Sequence, residues 1–235
     1  MSAFSPKEVG MANHLQNRFA PEYSALWQGC GDMCAVIFSR LELPISDEEA
    51  LKILLERGFS INSFKLLSIA RNRISSTIYQ RGAALWDAPE ILDCSSLIWW
   101  IYRQNGISLP RYSLNQRQAS VDTGIWSEDD LENLQTGDLV FLKGRHPYYL
   151  TDEEDGVGHV GFATGQGTII HAANGKRGVV EDSVEDFIGD WSNFRGAGRI
   201  LPPNEKVMTL LAAPNHNITH SIDLRCIIFQ KLAGE

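Results

Sequence analysis

One cysteine and two histidines are the residues of this sequence whose types and spacing could carry out chemistry. Cys94 begins a segment of helical apolar spacing that ends at Asn105-Gly106, and Asp93 is suited to be its N-cap. No Glu or Gln follows Asp93 by three residues, so we expect no capping box. A thiol in the first turn of a helix lies near the positive end of the helix dipole, which favours the thiolate, whereas the neighbouring Asp93 opposes it. We therefore do not expect a very low pKa for Cys94.

His159 and His171 lie on two predicted neighbouring strands, H-V-G-F-A-T and T-I-I-H-A-A. If residues 165–167 form a three-residue hairpin loop, Gly161 lies opposite His171. The two histidines are then diagonal neighbours on one face, about 7 Å apart by backbone and within side-chain reach. A loop that is one residue longer or shorter would place them on opposite faces of the sheet.

Together the three side chains supply a nucleophile, a base and a group that orients the base, as an activated nucleophile requires. In this interpretation His159 takes the proton of the Cys94 thiol, and His171 fixes the tautomer of His159. Two other interpretations stay open on spacing alone: both histidines are ordinary sheet residues, and Cys94 is a buried, unreactive cysteine. A metal site is less favoured, because two histidines and one cysteine leave the ligand set incomplete. We expect neither a metal nor a cofactor.

The order of the predicted elements indicates the α+β class. Apolar residues at helical spacing predict helices after Ser46, over residues 63–75 and after Cys94. From Leu134 onward the period changes to that of strands. Five short strands joined by glycine-containing loops indicate an antiparallel meander, with G-R-I-L at residues 198–201 as its fifth strand.

Composition and charge argue against several classes of function. The chain has 235 residues, of which 43% are hydrophobic and 21% charged, as in a soluble globular protein. Its net charge of −8 argues against a nucleic-acid partner, because such binding needs clustered Lys and Arg. Four scattered cysteines are too few for a disulfide framework, and no segment has the length of a membrane span. No secretory signal peptide is recognisable, so we expect a cytoplasmic protein as encoded, with export by a non-classical route or a phage-associated role left open.

Six motifs in order resemble those of the NlpC-type cell-wall peptidases, papain-like cysteine enzymes of bacteria and their phages. They are Tyr79 with Gly82, Asp93-Cys94-Ser95, Leu109-Pro110-Arg111, Gly137-Asp138-Leu139-Val140-Phe141, His159-Val160-Gly161, and His171. The resemblance covers residues 63–200. It implies a papain-like fold, in which N-terminal helices, including the one that begins with the nucleophile, pack on the antiparallel meander sheet.

The resemblance also implies a reaction and a substrate class. The reaction is hydrolysis of a peptidoglycan stem peptide, or of a muropeptide, between γ-D-glutamyl and a diamino acid. By position, Cys94 would be the nucleophile, His159 the base and His171 its orienter. The residues beside the substrate, which in the family help to bind the free amine of the stem peptide, would be Tyr79, Asp93 and Ser95.

Three features depart from the family pattern. Ser96 replaces the glycine that usually follows Asp-Cys-Ser, a polar insertion at residues 144–158 enters just before His159, and the N-terminal part does not resemble an SH3-type wall-binding module. Other interpretations therefore stay open: the same thiol chemistry on a non-wall amide, acyl transfer, or a catalytically silent binding module. The sequence does not determine the oligomeric state.

We divide the chain into three parts on this basis. Residues 1–60 are predicted to be a helical N-terminal extension or small domain, and residues 61–201 the NlpC-type catalytic domain. Residues 202–235 are predicted to be a tail whose segment I-D-L-R-C-I-I-F forms a strand.

Overall fold

The computed structural model describes residues 29–123, 126–129, 131–144, 156–214 and 216–234. Within these parts the strands are, in chain order, β1 (Met33–Val36), β2 (Ser60–Asn62), β3 (Ile78–Tyr79), β4 (Ile91–Leu92), β5 (Trp126–Ser127), β6 (Leu139–Lys143), β7 (Val157–Ala163), β8 (Thr168–Asn174), β9 (Gly178–Ser183), β10 (Phe194–Gly198) and β11 (Met208–Leu211). The α-helices are α1 (Asp47–Glu56), α2 (Leu66–Arg71), α3 (Cys94–Arg103), α4 (Ser113–Asp122), α5 (Val184–Ile188) and α6 (Ser221–Leu232).

The largest sheet has six strands in the order β5-β10-β6-β7-β8-β9, and all its neighbours are antiparallel. The predicted meander is confirmed over β6 to β9. The fifth strand differs from the prediction in position and partner, since β10 ends at Gly198, where the predicted strand begins, and pairs with β6. The physical reason is that α5 and the turn at Trp191–Asn193 carry the chain from β9 back to the β6 side of the sheet.

Helix α3 packs on β7 and β8 and forms the main apolar core with them. The side chains of α3 that are fully buried in this core are Leu97, Ile98, Ile101 and Tyr102. The Tyr102 hydroxyl also donates a hydrogen bond to the carbonyl of Gly137, just before β6, which ties the helix to the sheet. The predicted α+β, papain-like arrangement is confirmed: the helix that begins with Cys94 packs on the antiparallel sheet that carries both histidines.

A second core joins the two ends of the described chain. Strand β11 lies between β1 and β2 in a three-stranded antiparallel sheet, and α1 and α6 pack against each other beside it. Leu54 of α1, Leu210 of β11 and Leu224 of α6 are buried together here. The N-terminal and C-terminal segments thus share one core, while the domain boundaries near residues 60 and 201 stay a prediction.

The C-terminal segment predicted to be a strand is helix α6, so this prediction was wrong. His220 caps the helix, because its ring accepts a hydrogen bond from the N–H of Ile222 at 3.2 Å. The Asp223 carboxylate accepts one in return from the N–H of His220 at 3.0 Å. The buried apolar side chains have helical spacing and are Leu224, Ile227 and Ile228. Capping and this spacing outweigh the strand preference of the isoleucines.

The N-terminal segment predicted to be helical also contains β1 and β2. The predicted start of α1 is confirmed, since Ser46 caps it and exchanges hydrogen bonds with Glu49. Helix α2 is shorter than the helix predicted over residues 63–75. Residues 1–28 and most of the predicted insertion, residues 145–155, lie outside the described residues. No helix in the described part of the chain has both the length and the apolar character to cross a membrane.

Candidate active site

Cys94 begins helix α3, as predicted, and Asp93 is its N-cap. The Asp93 carboxylate accepts a hydrogen bond from the N–H of Ser96 at 2.9 Å, and the Ser96 hydroxyl accepts one from the N–H of Asp93 at 2.8 Å. The expected absence of a capping box was therefore wrong, because a serine fills the place that Glu or Gln usually takes. This contact also gives Ser96, one of the departures from the family pattern, a structural role in the first turn.

Arg111 holds this first turn from the side. Its guanidinium donates hydrogen bonds to both carboxylate oxygens of Asp93, at 3.0 and 2.6 Å, and to the Ser95 hydroxyl at 2.8 Å. The buried amide of Gln116 donates to the carbonyls of Ser95 and Pro110 at 2.9 and 2.7 Å. The start of α3 is thus fixed by a charge-assisted, bidentate pair, which is the stronger kind of hydrogen bond.

The Cys94 thiol is protonated at neutral pH. Burial is the main cause that raises the pKa of Cys94 to about 12, and the Asp93 carboxylate acts in the same direction. The N–H groups of Val160 and Ser95, which hydrogen-bond to the sulfur, and the Arg111 guanidinium lower it. Burial and Asp93 therefore outweigh the helix dipole, and a base must take the proton before the sulfur can attack.

His159 on β7 and His171 on β8 form a hydrogen-bonded pair. The His159 Nε2 and His171 Nδ1 atoms are 2.9 Å apart. The N–H of Thr164 donates to the carbonyl of Thr168 at 3.0 Å, which is the register of the predicted three-residue loop. The predicted diagonal contact between the two histidines is therefore confirmed.

Phe187 of α5 covers the histidine pair. Its ring centroid lies 5.6 Å from that of His159 and 4.7 Å from that of His171. A Cβ on Gly161 would lie 2.3 Å from the Ile169 side chain and 2.8 Å from the Phe187 ring. The glycine of the H-V-G motif is thus required by the close approach of Phe187 to the sheet.

Two charged side chains continue from the histidine pair onto β9. His171 Nε2 lies 3.0 Å from Asp182 Oδ2, and Arg177 donates two hydrogen bonds to the Asp182 carboxylate, at 2.9 and 2.6 Å. Burial lowers the pKa of His171 and outweighs Asp182, which raises it. The hydrogen bonds from Arg177 are the main cause of the lowered pKa of Asp182. His171 is therefore neutral beside an ionised carboxylate at neutral pH.

One cleft of about 760 Å³ brings the predicted site residues together. The predicted residues that line it are Cys94, His159, His171, Tyr79, Asp93 and Ser95. Burial is the main cause that raises the pKa of Tyr79, with Cys94 and Asp93 adding to it, so the phenol is a neutral hydrogen-bond donor. Among the side chains that the structure describes, no group of three or more His, Cys, Asp or Glu is arranged to hold a metal ion.

The predicted insertion enters and leaves at the edge of this cleft. The N–H of Gly144 donates to the carbonyl of Gly156 at 2.6 Å, which brings together the two ends of the described chain on either side of residues 145–155. Lys143 and Val157, just outside these ends, line the cleft. Residues 145–155, which are most of the insertion, lie outside the described residues.

Residues 77–192 match the model of the NlpC/P60 family. These residues are an NlpC/P60 domain. Proteins of this family are cysteine peptidases, and the matched stretch contains Cys94, His159 and His171. The family resemblance predicted from the sequence motifs is confirmed.

Curated relatives of this NlpC/P60 domain are named as peptidases. A probable endopeptidase of Corynebacterium glutamicum is 37% identical over 120 residues, which are 51% of this chain and 47% of that protein. A gamma-D-glutamyl-L-lysine dipeptidyl-peptidase of Bacillus cereus is 34% identical over 111 residues, which are 47% of this chain and 29% of that protein. The chain thus spans less than half the length of these relatives. The crystal structure of an NlpC/P60 family protein from Bacillus cereus is 26% identical, with a TM-score of 0.45, over 61% of this chain and 42% of that one.

Sequence reasoning missed three charged residues of the NlpC/P60 domain. Asp182 lies opposite Ile169 and therefore diagonal to His171, the same relation that predicted the histidine pair. Extending the predicted strand G-V-V-E by one residue, to Asp182, reveals this contact. Arg177 lies in the turn that precedes that strand. Arg111 is visible in the sequence only as part of a helix stop, and no spacing rule relates it to Asp93, which lies 18 residues earlier.

Proposed function

We propose that this chain is a cysteine peptidase that hydrolyses the amide between γ-D-glutamate and a diamino acid in peptidoglycan stem peptides. The observation that carries the proposal is one cleft of an NlpC/P60 domain that is lined both by Cys94, at the start of its helix, and by the hydrogen-bonded His159–His171 pair. The name of the Bacillus cereus relative, a gamma-D-glutamyl-L-lysine dipeptidyl-peptidase, supports the substrate class.

In this proposal Cys94 is the nucleophile and His159 is the general base. Because burial keeps the thiol protonated, His159 takes its proton as the sulfur bonds to the carbonyl carbon of the substrate. The negative charge that develops on the carbonyl oxygen is stabilised by the N–H of Cys94, which faces no carbonyl of its own helix in this first turn.

His159 then returns the proton to the nitrogen of the departing diamino acid as the C–N bond breaks. The glutamyl group remains on Cys94 as a thioester. A water molecule attacks this thioester while His159 takes one of its protons. The C–S bond then breaks, His159 returns that proton to the departing sulfur, and the products are the γ-carboxylic acid, which ionises in water, and the Cys94 thiol. His171 acts through His159, whose ring it holds by the 2.9 Å hydrogen bond.

Arg111 is suited to recognise the glutamate itself. A glutamate that is linked through its γ-carboxyl keeps its α-carboxylate, which lies a few bonds from the scissile amide and pairs well with a guanidinium. Arg111 lines the cleft and is close enough to the Cys94 sulfur to lower the pKa of the thiol. Its side chain is 18% exposed, so a substrate can reach it although it is paired with Asp93.

The predicted amine contacts of Tyr79, Asp93 and Ser95 form the other part of the substrate site. The Asp93 oxygens already accept hydrogen bonds from the N–H groups of Gly82 and Ser96 and from Arg111. A substrate amine that contacts Asp93 therefore shares this carboxylate with Arg111. The Ser95 hydroxyl likewise already accepts a hydrogen bond from Arg111. The neutral Tyr79 phenol can accept from the amine without this competition.

The experiment that tests the proposal is mass spectrometry of L-Ala-γ-D-Glu-diamino acid peptides incubated with the wild type and with Cys94→Ala. We expect cleavage after D-Glu by the wild type alone. N-acetylated peptides measure the need for a free amine, and peptides with an α-amide on the glutamate measure the role of Arg111. Intact sacculi and soluble muropeptides, assayed in parallel, show which form of the substrate the enzyme takes.

Labelling of Cys94 separates the possible negative results. If no peptide is cleaved but iodoacetamide labels Cys94 in a reaction that depends on His159, the thiol chemistry is intact and the substrate assignment is wrong. If His159→Gln leaves the labelling rate of Cys94 unchanged and no peptide is cleaved, the cysteine peptidase proposal fails and a silent binding module is favoured.

A further inference from the structure

Two charged residues beyond the histidine pair have no role in the proposed function, on which this inference rests. Asp182 and Arg177 continue the line of hydrogen bonds that begins at His159 and His171. The Asp182 side chain is 14% exposed and lies between a neutral histidine and a guanidinium. An ion pair that served only to join the strand to the turn would not need the third contact, with His171.

The order of donors and acceptors along this line fixes where the protons lie. Arg177 only donates hydrogen bonds and Asp182, when ionised, only accepts them. His171 must therefore donate to Asp182 from Nε2, and because this ring is neutral its Nδ1 carries no proton. His159 must then donate from Nε2 to that atom. In the neutral form that a general base requires, the one proton of His159 therefore lies on Nε2 and the lone pair on Nδ1.

We propose that Asp182, held by Arg177, is a positioning residue that sets the tautomers of both histidines and so makes Nδ1 of His159 the atom that takes the Cys94 proton. The reaction needs this tautomer before the substrate arrives, because a His159 ring that carried its proton on Nδ1 would present a donor in place of a base. Each of the four side chains fixes, through its hydrogen bond, the orientation or the tautomer of the next. The transferred proton moves only between Cys94, His159 and the substrate.

The sheet provides a matched control for this proposal. Side chains alternate along β9, so Glu181 points to the other face of the sheet from Asp182. Glu181 is also ion-paired, with Arg71 at 3.0 Å, and accepts a hydrogen bond from Thr168 at 2.6 Å. Glu181→Gln therefore removes one carboxylate charge and weakens one ion pair on the same strand, without touching the histidine pair.

The test is ¹⁵N NMR of the imidazole nitrogens at a pH where both histidines are neutral, in the wild type, Asp182→Asn, Asp182→Ala and Glu181→Gln. We expect the Nε2–H tautomer of His159 and His171 in the wild type and in Glu181→Gln. In both Asp182 variants the Nδ1–H tautomer should become populated, because the acceptor that fixes the His171 proton is weakened or removed. The alanine variant covers the case in which the asparagine oxygen replaces the carboxylate.

Kinetics with the cleaved stem peptide test the consequence. Partners one hydrogen bond behind a metal-bound histidine typically change activity by about 10- to 100-fold, and we expect a fall of this size in kcat for Asp182→Ala with KM unchanged. A purely structural role would lower the melting temperature and leave the tautomers as they are. If stem peptides are not the substrate, the alkylation rate of Cys94 replaces kcat, so failure of the substrate assignment remains distinct from failure of this inference.

Three results would overturn the proposal. The first is an Nδ1–H tautomer of His159 in the wild type. The second is an unchanged tautomer of His159 in Asp182→Ala, measured on protein whose circular dichroism shows that it is folded. The third is a change of tautomer in Asp182→Ala with kcat, or the alkylation rate, within twofold of the wild-type value.

Discussion

The two ends of helix α3 lie in contrasting surroundings. At the N-terminal end, Cys94 is flanked by the ion pair of Asp93 and Arg111, and the cleft opens beside it. Charged groups there are held by hydrogen bonds but keep some exposure, with 10% of the Asp93 side chain and 18% of the Arg111 side chain accessible. This end of the helix can therefore bind a charged ligand while Asp93 and Arg111 still compensate each other's charge.

The C-terminal end, about 15 Å away along a ten-residue helix, is held by neutral groups. The fully buried Asn105 accepts from the N–H of Lys65 at 2.7 Å and donates to the carbonyl of Ile101 at 2.8 Å. Its own carbonyl accepts from the Thr209 hydroxyl at 2.7 Å. The following Gly106 approaches β1 so closely that a Cβ would lie 2.7 Å from the N atom of Ala35.

From this difference we expect the N-terminal end of α3 to matter mainly for catalysis and the C-terminal end mainly for stability. The described residues that line the cleft all fall between positions 79 and 193, so the second core, built from both chain ends, contributes none of them. The second core instead packs where Asn105 and Gly106 end the helix. Changes at one end should therefore alter catalysis with little loss of stability, and changes at the other end should do the reverse.

Among the substitutions that test this difference between the two ends, His159→Gln is expected to have the largest effect, on kcat. Removal of a general base typically costs about 10²- to 10⁴-fold in rate, and we expect a fall of this size in kcat for stem-peptide hydrolysis. The melting temperature should stay close to that of the wild type. His216→Gln, which changes a histidine whose ring centroid lies 5.2 Å from that of Phe59 in the second core, is the matched control and should keep kcat. A small effect of His159→Gln on kcat would contradict the separation of tasks.

Leu54→Ala should have the opposite effect, a loss of stability with an unchanged kcat. Leu54 is fully buried in the second core, and removing such a side chain typically lowers the free energy of unfolding by about 2–5 kcal/mol. Urea unfolding measures this loss, and kcat of the folded variant should be unchanged. Leu55→Ala, on the exposed side of the same helix, serves as control and should change stability by less than about 0.5 kcal/mol. A loss of kcat in folded Leu54→Ala would show that the second core also shapes the cleft.

A smaller loss of stability is expected from Asn105→Ala. The substitution leaves the N–H of Lys65 and the carbonyl of the buried Ile101 without their side-chain partner, and an unsatisfied buried group typically costs about 1–3 kcal/mol. Gln104→Ala changes the neighbouring residue, whose side chain makes neither of these bonds. We expect a lower melting temperature for Asn105→Ala than for Gln104→Ala, and the same rate of peptide hydrolysis for both variants. Equal stability of the two would mean that Asn105 does not anchor the helix end.

The N-terminal end of α3 and the cleft beside it were largely predictable from the sequence because local rules apply there. Helical spacing after Asp93 and a three-residue loop after Thr164 are enough to place Cys94, His159 and His171 on their elements, and the structure has all of them in one cleft. The Asp182 contact follows from the same diagonal rule, once the strand is extended. The capping role of Ser96 was not anticipated, since serine rarely takes the third position of a capping box.

The second core was not predictable from the same rules because its contacts are distant in sequence. The pairing of β1 with β11 joins residues near 35 and 209, and no local spacing connects them. Isoleucines in α6 favour a strand by propensity, while the cap at His220 and burial against α1 make it a helix. The ion pair of Arg111 with Asp93 depends in the same way on how the loop after α3 folds back.

The smallest expected effect is on the acidity of Cys94 and tests the charges at the N-terminal end of α3. Asp93 raises the pKa of the thiol, and Arg111 lowers it. Asp93→Asn keeps a side chain that can cap the helix, removes the negative charge and leaves the Arg111 charge uncompensated. Both changes in charge therefore lower the pKa of Cys94, and the pH profile of its alkylation by iodoacetamide should move to lower pH.

Asp47→Asn is the control. It makes the same change of charge at the start of α1, beside the second core, and should leave the alkylation profile of Cys94 unchanged. An Asp93→Asn profile that stays in place or moves to higher pH would mean that burial alone holds the proton on the sulfur and that the Asp93–Arg111 pair serves only to shape the loop.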